Sequence, residues 1–163
     1  MKSVDVVVPV YNEEAVLERS VATLREYLAE NVSWKWRIVI ADNASVDGTL
    51  NIAKELAGKY PDVAYVHLDL KGRGRALKQA WLESDADAVS YMDVDLSTKL
   101  DAFPQLLRAF DEGYDLAIGS RLTRGSKVIG RSLKRETTSR VYNLLIRIMF
   151  YRASTMLSAA SRH

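Results

Sequence analysis

Ala88-Val89-Ser90-Tyr91-Met92-Asp93-Val94-Asp95-Leu96-Ser97 is the stretch on which the reading of this chain turns. An apolar run that closes on two carboxylates one residue apart predicts a buried strand delivering Asp93 and Asp95 to its exposed carboxyl end. In open α/β sheets, ligands bind outside that end. Two carboxylates there suit one hard divalent cation, Mg2+ or Mn2+, which prefers oxygen ligands and takes others from a diphosphate. A short Asp-x-Asp also arises where acidic residues only cap a strand, so its neighbours decide between the two readings.

The chain has 163 residues, 48% of them hydrophobic and 27% charged, which fits one globular domain with a substantial core and excludes a disordered chain. With 23 Lys and Arg against 21 Asp and Glu, the net charge of +2 gives no case for a nucleic-acid partner. The placement of charge says more: residues 71–78 and 121–140 are basic, a rim suited to a polyanionic ligand. The absence of cysteine excludes disulfides and thiolate metal sites. The first residues enter a strand without a signal-peptide pattern, and no apolar stretch reaches the roughly 18 residues of a spanning helix. The expectation is a cytoplasmic protein, in solution or peripheral on the cytoplasmic face of a membrane.

Working outward, residues 4–9 form a β-branched run ended by Pro9, a first buried strand. A helix is predicted to open near Glu13 and Glu14, whose carboxylates favour its positive N-terminus, with Val16, Leu17, Leu24, Tyr27 and Leu28 on its apolar face. Trp36 to Ala41 is a second strand ending at Asp42. Asn43 to Thr49 is then a polar turn in which Asp47 or Thr49 caps a helix running to about Lys59. Val63 to His67 is a third strand, followed by Lys71-Gly72-Arg73-Gly74-Arg75 and a helix from about Ala76 to Glu83. After the fourth strand, a helix from Phe103 to Phe110 carries Pro104 in its first turn, and Asp115 to Arg121 reads as a fifth strand. Short strands alternating with helices predict a mostly parallel sheet flanked by helices on both faces, joined by right-handed crossovers. Residues 122–135 read as a loop. The apolar helix beyond it, with Val141, Leu144, Leu145, Ile148 and Phe150, suits either a membrane surface or the sheet.

Polar constellations close four strands: Pro9 to Glu13, Asp42 to Thr49, Asp93 to Asp95, and Gly119 to Arg121. In a parallel sheet all of them lie along one edge, and their co-occurrence carries more weight than any one alone. Taken singly, Pro9 could end a strand, Asp42 could cap a turn, and Gly72 and Gly74 could bend the chain. His67 reads as a surface or packing residue rather than a catalytic base, and Trp34, Trp36, Trp81 and Tyr91 as packing or surface residues.

The order of these motifs, with Lys71 to Leu77 between them, resembles the inverting family-2 glycosyltransferases, in particular the polyprenyl (dolichyl) phosphate mannosyl- and glucosyltransferases, over roughly residues 3–150. The resemblance implies a GT-A fold and a nucleotide-sugar site formed by Pro9, Tyr11, Glu13, Ile40, Asp42, Lys71, Asp93, Val94, Asp95 and Arg121. It implies that Asp93 and Asp95 hold the metal, Asp95 more directly, and that Asp95 and Arg121 are the catalytic residues. Arg121, Arg135 and Ser139 match the segments that meet the acceptor phosphate, a task suited to the forked donors of a guanidinium. The implied partners are GDP-mannose or UDP-glucose and a polyprenyl or dolichyl phosphate. The implied reaction is attack of a lipid phosphate oxygen on the anomeric carbon, with inversion and departure of the nucleoside diphosphate.

Two positions depart from the pattern: Asn43 stands where relatives often have a second Asp, and Ser97 where they often have Gln, which leaves a third metal position to water. Relatives also continue past residue 151 with Asp-Ala-Gln-Cys-Gly-Phe-Lys-Ala. Permitted codons for Thr155 to His163 encode that segment when read from their third base, so residues 152–163 are expected to be an aberrant or truncated tail from a shifted frame, after a catalytic domain of residues 1–151. A family-2 transferase with a glycan acceptor, and a nucleotide-sugar-binding remnant without turnover, are the alternative readings. Nucleotidyltransferases are set aside because Pro9 to Glu13 occupies the place of their Gly-rich loop.

Overall fold

The computed structural model describes residues 1–98 and 100–119. Four strands form one parallel sheet: β1 (Ser3–Val10), β2 (Lys35–Asn43), β3 (Val63–Leu68) and β4 (Ala88–Tyr91). Their spatial order is β3-β2-β1-β4. The chain steps outward from β1 to β3, then crosses back to the other side of β1. The reversal opens a crevice between β1 and β4, where doubly wound sheets bind ligands.

Every second residue of β1 and β2 enters a different core, as strand geometry requires. Val4, Val6, Val8, Val10, Ile38 and Ile40 pack with Leu17, Val21, Leu24 and Leu28 of helix α1 (Leu17–Asn31) and Ala53 and Leu56 of helix α2 (Thr49–Lys59). Phe103 and Leu107 of helix α4 (Phe103–Asp111) close the same cluster. On the opposite face, Val7, Val39 and Ala41 meet Ala76 and Ala80 of helix α3 (Arg73–Leu82), whose small side chains let it lie close to the sheet. The fully buried valines and leucines each contribute roughly 1.5–3 kcal/mol. They make the sheet the rigid base of the loops at its carboxyl edge.

Three expectations change. The helix foreseen at Glu13 starts at Leu17, because Glu13 and Glu14 are drawn across to the β2–α2 loop: the Glu13 amide donates to the Thr49 hydroxyl (2.8 Å) and Glu14 Oε2 accepts from the Gly48 amide (2.6 Å). The Glu14 carboxylate thus sits at the N-terminus of α2, not of its own helix. Helix α3 begins at Arg73, earlier than foreseen, with the Arg75 and Ala76 amides closing its first turn on the Gly72 carbonyl. The fifth strand is absent from the described residues: Asp115 to Gly119 is irregular, and Leu116 and Ile118, which alternation would bury, are 76% and 77% exposed. They have no ladder partner among the described residues. Arg121, Arg135, Ser139, the apolar helix after residue 140 and the tail lie outside the described residues.

Candidate functional site

The loops leaving the four strands surround a cleft of ≈ 480 Å³ at the carboxyl edge. Pro9, Val10, Tyr11 and Glu13 line it from the end of β1, and Asn43 from the end of β2. Lys71 comes from the β3–α3 connection, Arg73 from the first turn of α3, and Asp93, Val94 and Asp95 from beyond β4. The last ladder bond of β4 runs from the Met92 amide to the Val7 carbonyl (2.9 Å), so both aspartates leave the sheet directly into the cleft.

Asn12, Ala44 and Leu96 take left-handed conformations, with φ of 55°, 60° and 49°. Each reverses one of the loops around the cleft, and such conformations cost non-glycine residues free energy. Cross-loop bonds hold the first two loops together. Asn12 Oδ1 accepts from the Val46 amide (2.9 Å), and the Asn12 amide donates to the Ser45 hydroxyl (3.0 Å). Thr49, fully buried, accepts from the Glu13 amide and gives its own hydroxyl hydrogen to Asp47 Oδ1 (2.5 Å). Asn43, the departure from the family pattern, ties in the third loop by accepting from the Gly72 amide.

The Lys71 ammonium lies 3.6 Å from the centroid of the Tyr11 ring, an attraction of cation and ring quadrupole that also brings a positive charge over the cleft. Arg73 Nη2 donates to Asp93 Oδ1, while Asp95 Oδ1 accepts from the Ser97 amide (3.0 Å). The sequence-predicted residues Pro9, Tyr11, Glu13, Lys71, Asp93, Val94 and Asp95 therefore come together. Ile40 and Asp42 do not line the cleft; both are fully buried beside it. Asp42 neighbours Val10 in strand register and Asn43 in sequence.

Asp42 has a partner that the sequence reading passed over: His67 Nδ1 lies 2.6 Å from its Oδ2. The two residues are paired across β2 and β3, a register that equal distances from the strand ends could have suggested. Arg73 and Asn43 were likewise visible as motif members, and what the linear sequence lacked was which loop each would meet.

Asp93 and Asp95 fit a hard divalent cation. Their carboxylates share the cleft, and the Asp93 side chain is 41% exposed. No group of three or more acidic or histidine side chains gathers for a metal among the described residues. Two protein carboxylates would leave the other positions to water and diphosphate oxygens, a division suited to Mg2+ or Mn2+.

A parallel α/β sheet with a cleft lined by acidic and basic side chains at its switch point places the chain in the doubly wound class. A model of glycosyl transferase family 2 matches residues 5–161, and the chain belongs to that family. It is 34% identical over 125 residues to a dolichol-phosphate mannosyltransferase of Pyrococcus furiosus, covering 77% of this chain and 35% of that protein. It is 32% identical over 160 residues to an undecaprenyl-phosphate mannosyltransferase of Micrococcus luteus, covering 96% of this chain and 63% of that one. The chain thus spans less than two thirds of either relative. Among solved structures it is similar to a mannosyltransferase from Pyrobaculum calidifontis in complex with GDP-Man and Mn2+, with a TM-score of 0.55 and 28% identity over 64% of this chain and 31% of that one. The fold is the GT-A fold that the motif order implied.

Proposed function

We propose that the cleft binds a nucleotide-diphosphate sugar together with Mg2+ or Mn2+, and that the chain takes part in transferring the hexose to a polyprenyl phosphate with inversion. The observation that carries this reading is the convergence of Asp93, Asp95, Lys71, Arg73 and Tyr11 on one cleft at the β1–β4 crevice. The names of the Pyrococcus and Micrococcus relatives support a polyprenyl-phosphate acceptor and a mannosyl group, and the Pyrobaculum structure supports GDP-mannose with Mn2+. UDP-glucose is the other donor in contention.

In this reading Tyr11 and Glu13 border the nucleoside, and Lys71 balances phosphate charge. Arg121, Arg135 and Ser139 receive the lipid phosphate. A phosphate acceptor is ionised at neutral pH, so its oxygen attacks the anomeric carbon without a strong general base. The bond from that carbon to the diphosphate oxygen breaks, and its electron pair leaves with the nucleoside diphosphate. The work of the protein is alignment and charge stabilisation. A cation bound by Asp93 and Asp95 would supply neutralisation of the departing diphosphate. No helix among the described residues is long and apolar enough to cross a membrane.

The test is transfer of radiolabel from GDP-mannose or UDP-glucose into a solvent-extractable polyprenyl phosphate, with and without Mn2+. Metal-dependent label in the lipid phase from one donor supports the reading. Nucleotide binding without any transfer supports the remnant reading instead.

A further inference from the structure

Arg73 lines the cleft but has been given no role of its own in it, and it lies against one of the two carboxylates that set the site's charge. It is the first residue of α3, it lines the cleft, and its Nη2 donates to Oδ1 of Asp93. The ring of Tyr91 lies 5.8 Å from the same guanidinium. Asp93 and Asp95, one residue apart, repel each other when both are ionised, and the guanidinium offsets that repulsion. A divalent cation needs the very oxygen that Arg73 holds. The two cations compete, and metal alone must displace a charge-assisted bond. A diphosphate arriving with the metal changes the balance, because its oxygens offer the released guanidinium a new bidentate partner in the same cleft.

We infer that Arg73 is a diphosphate-binding residue, parked on Asp93 until metal and diphosphate arrive together, so that the two ligands bind cooperatively. The inference rests on the donor-site reading above and adds to it a residue and a coupling. Metal without diphosphate binds weakly, since Arg73 keeps Asp93. Nucleotide without metal also binds weakly, since Arg73 prefers the carboxylate. Each ligand removes the cost of the other.

The experiment compares the full chain with Arg73→Gln and Arg73→Lys. Mn2+ binding alone is read from the free-ion electron paramagnetic resonance signal. GDP, UDP and the corresponding monophosphates are then titrated calorimetrically at saturating Mn2+. Arg73→Gln should bind Mn2+ alone about three- to fivefold more tightly, the scale of a partly exposed ion pair. It should bind the preferred diphosphate about tenfold or more weakly, while the monophosphate changes less. Arg73→Lys keeps the charge without the fork, so its Mn2+ affinity should stay near that of the parent while its diphosphate affinity falls, which separates the effect from misfolding.

Unchanged Mn2+ affinity in Arg73→Gln, or equal losses for monophosphate and diphosphate, overturns the inference alone. Failure of the parent chain to bind either diphosphate overturns the donor-site reading, and the inference with it.

Discussion

His67 Nδ1 and Asp42 Oδ2 share a hydrogen bond of 2.6 Å, and the other oxygen of that buried side chain has no partner among the described residues. With one oxygen already unpaired, the stability of this corner of the sheet depends on His67.

His67→Leu is expected to strip Asp42 of its described partner and destabilise the fold by about 2–3 kcal/mol, the cost of a buried acceptor left unpaired. His67→Asn restores a donor near the Nδ1 position and should recover most of the loss. Urea unfolding midpoints of the variants measure both. Equal loss in Leu and Asn would show that the ring's packing, not its hydrogen bond, is what matters.

Thr49 joins two site loops through one buried hydroxyl. Thr49→Val keeps the shape and removes the hydroxyl, leaving the Glu13 amide and Asp47 without it. A loss of about 1–3 kcal/mol is expected. Thr49→Ser should cost less. Because Tyr11 and Glu13 ride on the same loop, nucleotide affinity in Thr49→Val should fall more than the loss of stability alone explains, as calorimetry at a temperature where the variant is folded would reveal.

Much of the fold was legible in the sequence for a physical reason: apolar, largely β-branched runs such as Val6 to Val8 and Ile38 to Ala41 are buried on both faces, and only strands covered on both sides do that. The helix of Thr49 to Lys59 was equally plain, opened by a polar turn and ended before Pro61. Two errors have a common origin. Glu13 and Glu14 look like the first turn of a helix, and the Glu13 carbonyl does accept from the Leu17 amide, but the Glu13 amide and the Glu14 carboxylate bond Thr49 and Gly48, more than thirty residues away. Leu116 and Ile118 alternate like strand residues, but among the described residues they have no neighbouring ladder to join. The site showed the same limit. The strand-end motifs named most of the cleft, whereas the pairs Arg73–Asp93, Asn43–Gly72 and His67–Asp42 join segments whose meeting is set by the strand order.

Acid sensitivity should include a local contribution from the start of β1. The Ser3 hydroxyl, and next the Ser3 amide (2.7 Å), hold the Asp87 carboxyl below its ordinary value of 3.8. A carboxyl with a lower pKa in the folded chain contributes stability that is complete above 3.8 and is lost as pH falls through the folded value. Ser3→Ala should therefore lower the urea midpoint near neutrality, and the gap from the parent chain should narrow as the pH drops below 3.8. A gap that stays constant with pH would assign the effect to packing of Ser3 instead.

The central claim is that Asp93 and Asp95 make the cleft a metal-dependent nucleotide-diphosphate site. The most direct measurement is calorimetric titration of the chain with GDP and with UDP, each with and without Mn2+, repeated on Asp95→Ala. Binding of one nucleotide that requires Mn2+ and falls by about a hundredfold in Asp95→Ala is the predicted result, in line with loss of a charge-assisted partner of the ligand. Binding that is indifferent to Mn2+ and unchanged in Asp95→Ala would contradict it.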